Sequence, residues 1–213
     1  MSLFLGKIHY WLFNKVLWFE SLEDEIKKLA ESKGLNVSEL EKEINKKYGA
    51  KCPNKNLEDM IDTSNIHGWL QSKIHSAEGR MAKWTEVIIS NGKDDAISEM
   101  KKIYREQGIK AAREAKSDLN SINAEDIFNA MNDYILDGMP CDRVNEVISS
   151  NDKEVKWERR ICVHKDIWEE TGVSVDVFYD LRSEWITAFV SEMSSDYEYV
   201  ELNDTVKAIK RRS

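Results

Sequence analysis

The stretch Ile66-His67-Gly68-Trp69-Leu70-Gln71, followed by Ile74-His75, Glu78, Met81, Trp84 and Ile88, decides the fold class. Ile66, Leu70, Ile74, Ala77, Met81, Trp84 and Ile88 recur every three or four residues, which is the apolar stripe of a long amphipathic α-helix. His67, Gln71, His75 and Glu78 form a second line on the same helix. At about 100° per residue they fall within roughly 80° of arc, along one border of the apolar stripe. Two histidines and a carboxylate at such a border are candidate ligand- or cofactor-binding residues: His67, His75 and Glu78.

Working outward, the helix is expected over about 57–90, bent near Ser64 or Gly68 and ended by Asn91-Gly92. Upstream, Leu5, Ile8, Leu12, Val16 and Phe19 share one helical face over 3–19, widened by Phe4, Trp11 and Trp18. Such a girth of apolar residues suits the core or a self-association surface. Two short helices follow at 22–32 and 37–48, separated by the stop signal Gly34 and the capping pair Asn36/Glu39. Their layout is that of a helix-turn-helix, but Glu39, Glu41 and Glu43 on the second helix face phosphates badly. A DNA-binding regulator acting through residues 22–48 therefore ranks last. Downstream, helices are expected at 94–116 and at 124–136, the latter capped by Asn123.

Character changes after Ser150. Val155, Trp157, Arg159, Ile161 and Val163 alternate with Lys156, Glu158, Arg160, Cys162 and His164, a strand pattern of period two. Tyr197–Leu202 reads as a second strand, with helices near 165–171 and 174–193 in between. The fold expected is mainly α (α+β): a bundle-like helical body over 1–150, and a C-terminal portion over 151–213 with a small antiparallel β element packed on it. Together they are read as one domain over 1–213.

Composition narrows the class. The 41% hydrophobic fraction supports a sizeable core, and two prolines and nine glycines leave long uninterrupted segments that argue against an all-β fold. Net charge is −8; residues 1–120 hold 20 basic and 19 acidic residues, residues 121–213 hold 11 and 20. An acidic surface repels phosphate backbones, so no nucleic-acid partner is expected. Three scattered cysteines suit a reducing cytoplasm rather than a disulfide framework. The N-terminal stretch, interrupted by Lys7 and Lys15, does not read as a signal peptide, and no run of 18 apolar residues predicts a membrane span.

Two further motifs carry chemistry. In Asp137-Gly-Met-Pro-Cys-Asp-Arg143, Pro140 is placed to open a helix over 140–149, with Cys141 in its first turn. Unpaired N–H groups there stabilise a thiolate. In Cys162-Val163-His164, a strand would turn both side chains to one side, as a thiol–imidazole pair or as metal ligands. Cys141, Cys162 and His164 together form a candidate zinc or iron site; alternatively Cys141 is a nucleophile with His164 as general base, in a hydrolase or transferase. No P-loop, dinucleotide glycine fingerprint, Gly-x-Ser-x-Gly elbow or His-Glu-x-x-His occurs. The expectation is a small-molecule- or metal-binding protein. The rival is a non-enzymatic helical module that forms a homodimer through its aromatic first helix.

Overall fold

A computed structural model describes residues 5–91, 95–117 and 122–212. It is mainly α, with a four-stranded antiparallel sheet towards the C-terminus. The chain divides into two compact units, one from Met1–Glu99 with His164–Val175, the other from Met100–Val163 with Asp176–Ser213.

The first unit is built on α1 (Lys7–Ser32), α2 (Val37–Tyr48), a 3-10 turn at Leu57–Asp59, α3 (Ile66–Asn91) and the short α6 (Lys165–Glu170). α1, α2 and α6 all pack on α3. The two helices expected over 3–19 and 22–32 are one continuous helix. No proline or glycine interrupts it, and Leu12, Phe13, Val16, Ile26 and Ala30 keep the buried face in phase throughout. It ends where expected. Gly34 takes φ +81°, its N–H donates to the Glu31 carbonyl, and the Leu35 N–H donates to the Ala30 carbonyl, the paired bonds of a Schellman stop. Asn36 then caps α2 by accepting the Glu39 N–H.

The expected helix over 57–90 is shorter at its start, because side chains capture the backbone first. Asp62 accepts the Ser64 N–H at 2.9 Å, and Asn65 accepts the Gly68 N–H at 3.1 Å, so the helix begins at Ile66. Its phase is as read: all seven stripe residues from Ile66 to Ile88 are buried.

The second unit holds most of α4 (Ala96–Lys116), then α5 (Ala124–Asn132), a 3-10 turn at Pro140–Asp142, β1 (Asn145–Asn151), β2 (Glu154–Arg159), α7 (Val175–Met193, from Asp176), β3 (Tyr197–Glu201) and β4 (Val206–Arg211). The strand order is β1-β2-β4-β3. Two of these strands depart from the sequence expectation. Pro140 opens only a single 3-10 turn, and Arg143 at φ +50° turns the chain into β1, so there is no helix over 140–149. The basic C-terminal segment, to which the sequence pattern assigned no element, is β4, a central strand in which Ala208 and Ile209 are fully buried. Asn203 makes its hairpin by accepting the Thr205 and Val206 N–H groups.

α4 and α7 run parallel, tied by Lys101–Asp180, by Arg105–Glu184 one turn on and by Arg113–Glu192 two turns further. Their backbones approach at Gly108, where an added Cβ would lie 2.4 Å from the Trp185 carbonyl oxygen. Gly108→Ala gains about 1 kcal/mol of helix propensity. Overpacking against backbone costs about 1–3 kcal/mol. A net loss of stability is expected, read as a lower thermal midpoint; a raised midpoint would show that the helices part freely.

Candidate functional site

The sequence-derived site residues are divided between the units: His67, His75, Glu78 and His164 belong to the first, Cys141 and Cys162 to the second. His67 and His75 are exposed on α3, where the His75 ring lies 2.8 Å from the Gln71 side-chain amide. Cys141 is exposed on the 3-10 turn. The Asp142 carboxylate, not the thiol, accepts the Met139 N–H that opens this turn. β2 ends at Arg159, so Cys162 and His164 do not share a strand face as expected. Cys162 is exposed and accepts the Tyr179 hydroxyl at 3.1 Å, whereas His164 is fully buried.

The structure does bring Glu78 and His164 together, within the first unit. Ring Nδ1 of His164 lies 3.0 and 2.9 Å from the two carboxylate oxygens of Glu78, and both side chains are buried. A ring nitrogen held in this way orients the imidazole and ties the start of α6 to α3, so the pairing of His164 with Cys141 as general base gains no support. Among the described residues no group of three or more His, Cys, Asp or Glu is placed to hold a metal ion. The expected zinc or iron site of Cys141, Cys162 and His164 loses the shared strand face on which it was argued. The spacing argument needed a strand through His164, and the chain instead leaves the sheet to start α6.

Cys52 is set apart from the other two thiols by its surroundings. Burial and the nearby Glu20 carboxylate push its pKa up to about 11. At pH 8 the native thiol is expected to alkylate about two orders of magnitude more slowly than the same thiol in denatured protein, whose pKa is near 8.5. Alkylation timed by mass spectrometry with and without denaturant checks this; equal rates would mean that Cys52 is not shielded.

A cleft in the second unit gathers the residues best suited to hold a ligand. The inner face of the sheet is apolar at one end, where Val155, Ile209 and Tyr197 are buried. It turns polar at the other end, at Asn145, Arg159, Lys207 and Glu201, with Trp157 and Tyr199 between. α7 contributes Tyr179, Arg182, Ser183 and Ile186, which share one helical face. Met131 and Asn132 of α5, with Ile135 and Asp137 just beyond it, close the third side. The cleft has about 520 Å³ of empty space out to its open mouth, of which about 50 Å³ is wide enough to seat the centre of a water-sized molecule.

Two of its three cations are matched by carboxylates. Arg182 donates to Asp137 Oδ1 at 2.5 Å and to the Leu136 carbonyl at 2.6 Å, its guanidinium lying over the Phe178 ring. Asn145 donates to the other oxygen of Asp137 at 2.6 Å. Lys207 pairs with Glu201 at 2.8 Å, and Glu201 also accepts from Ser183 and Tyr199. Burial favours the protonated form of Glu201, but these hydrogen bonds and the Lys207 charge together hold its pKa below the usual carboxylate value. The third cation, Arg159, lies 3.8 Å over the Tyr179 ring and donates from Nη2 to the Asp204 carbonyl. Among the described residues Arg159 has no carboxylate partner. The phenols of Tyr179 and Tyr199 are both raised in pKa, chiefly by burial, and stay neutral.

Sequence reasoning missed this cleft, although a trace of it is visible. Arg159 continues the apolar side of β2 after Val155 and Trp157, and Arg182 falls on the face of α7 that carries Phe178, Leu181, Trp185 and Phe189. No protein-family model, curated protein or solved structure matches the chain.

Proposed function

We propose that the protein binds a small molecule in the cleft between the sheet, α5 and α7 of its second unit. The observation that carries this reading is Arg159, a cation at the polar end of the sheet's inner face with no carboxylate partner among the described residues. The half-buried guanidinium is held over the Tyr179 ring with one donor on the Asp204 carbonyl, which leaves the rest of its N–H fork for an anionic group. Ligand sites combine apolar and aromatic walls with convergent polar groups; here Met131, Ile135, Trp157, Tyr179, Ile186 and Tyr199 stand among polar and charged side chains. Neither a nucleic acid nor a membrane is part of this reading: the net charge is −8, and no described helix is long and apolar enough to cross a membrane.

The test is a fragment screen by NMR on the intact chain, read at the Trp157 indole and at the backbone of residues 179–186. Fragments that shift these resonances as one group support the site. A screen whose hits all fall elsewhere, or that yields none, overturns it.

Self-association remains the second reading, and one observation favours it. β1 is an edge strand exposed along its whole length, with Val147 and Ile148 presented to solvent. By contrast, the aromatic first helix expected to mediate a homodimer spends Leu12, Phe13 and Val16 in the core of its own unit. A sedimentation series that shows dimers dissolved by Ile148→Lys would support association through β1.

A further inference from the structure

We infer that the ligand of this cleft is a small monocarboxylate with a short apolar chain, its carboxylate gripped by Arg159; this rests on the cleft being the binding site. Charge is the first argument. Arg182 and Lys207 are each neutralised by a carboxylate of the cleft, Asp137 and Glu201, so Arg159 leaves one uncompensated positive charge. A single negative charge balances it, whereas a phosphate dianion would leave the cleft with one negative charge in excess.

Geometry is the second argument. A guanidinium carries five N–H donors in a fixed fork that matches a carboxylate. One donor of Arg159 is used on the Asp204 carbonyl, and the plane is held by the Tyr179 ring, so the group is oriented before any ligand arrives. Tyr179 and Tyr199 are kept neutral by burial and do not oppose an anion.

Size is the third. A cavity of about 150 Å³ holds benzene, and the widest part of this cleft is about 50 Å³. It takes a head group of a few heavy atoms rather than a ring. Trp157 and Ile186 line the same cleft and offer apolar surface to a short hydrocarbon chain.

The experiment titrates the full chain with butyrate, butyramide, butylammonium and inorganic phosphate at fixed ionic strength, following the Trp157 indole resonance. Butyrate is expected to bind at least tenfold more tightly than the other three, and Arg159→Gln to weaken butyrate at least tenfold while Arg159→Lys retains part of it. Butyramide binding as well as butyrate, or Arg159→Gln leaving butyrate unchanged, overturns the carboxylate while the cleft stands as a binding site. Phosphate binding more tightly than butyrate overturns it in favour of a phosphorylated ligand. No response to any of the four probes overturns the carboxylate proposal; if the fragment screen is also silent, the binding-site reading falls with it. The comparison of butyrate with butyramide on the unmutated chain decides the matter even if Arg159→Gln does not fold.

Discussion

Arg80→Met is expected to remove most of the stability of the first unit. Arg80 is fully buried in α3, with Glu20 and Glu23 of α1 almost as deep. Its Nη2 donates to Glu20 at 2.5 Å, its Nε to Glu23 at 2.9 Å, and its Nη1 to Ser76 and the Gly49 carbonyl. The carboxylates are themselves used: Glu23 accepts the Trp84 indole N–H, and Glu20 accepts the Cys52 N–H. Removing the cation leaves two buried carboxylates without a counter-charge. Breaking one buried pair in this way costs about 3–5 kcal/mol, a large share of the about 5–15 kcal/mol that holds a typical domain together. Urea unfolding followed by far-ultraviolet circular dichroism measures the loss. The triple variant Arg80→Met, Glu20→Gln, Glu23→Gln should recover part of it, because amides keep hydrogen-bonding capacity without the charge. A loss under about 1 kcal/mol for Arg80→Met alone would mean that these groups are solvated.

Ile74→Asp is expected to prevent folding of the same unit. Ile74 is 1% exposed and sits midway along the α3 stripe, between Leu70 and Ala77. Truncating a buried isoleucine costs about 2–5 kcal/mol, and placing an unpaired carboxylate in the same site adds several more. Gln71→Ala, three positions earlier on the half-exposed border, loses only the contact with His75 and should stay within about 0.5 kcal/mol of the parent. Thermal melts of the two variants side by side make the check. Similar losses would show that burial does not follow the stripe.

The two predictions differ in how they could be foreseen. Ile74 is legible in the sequence, because helical periodicity is local and seven stripe residues over six turns agree on one phase. Arg80 is not. It lies one residue from Met81 in that stripe, and nothing in the run 76–84 says that its partners stand about sixty positions earlier, on α1. The same contrast separates the expected site from the observed cleft. His67, His75 and Glu78 were grouped by a shared helical border, yet Glu78 turned inward to His164 and the two histidines stayed in solvent. Cys162 and His164 were grouped by a strand pattern that the chain abandons after Arg159.

The amino-acid sequence by itself determined the helices with a clear apolar phase, α3 and α7 above all, and the places where side chains cap or stop them, such as Gly34 with Asn36 and the reciprocal Asn123/Asp126 bonds. It therefore also determined the mainly α character with a β element near the C-terminus. These features depend on residues within about one turn of each other, since a helix satisfies its hydrogen bonds within itself. Only the tertiary structure decided that β1 and β4 are strands, because a strand acquires its hydrogen bonds from a partner distant in sequence: β4 lies between β2 and β3, and it is this pairing that buries Ala208 and Ile209. The cleft follows from the same pairing. Arg159, Lys207 and Glu201 meet because three strands come into register, and Arg182 meets Asp137 because α7 returns across them.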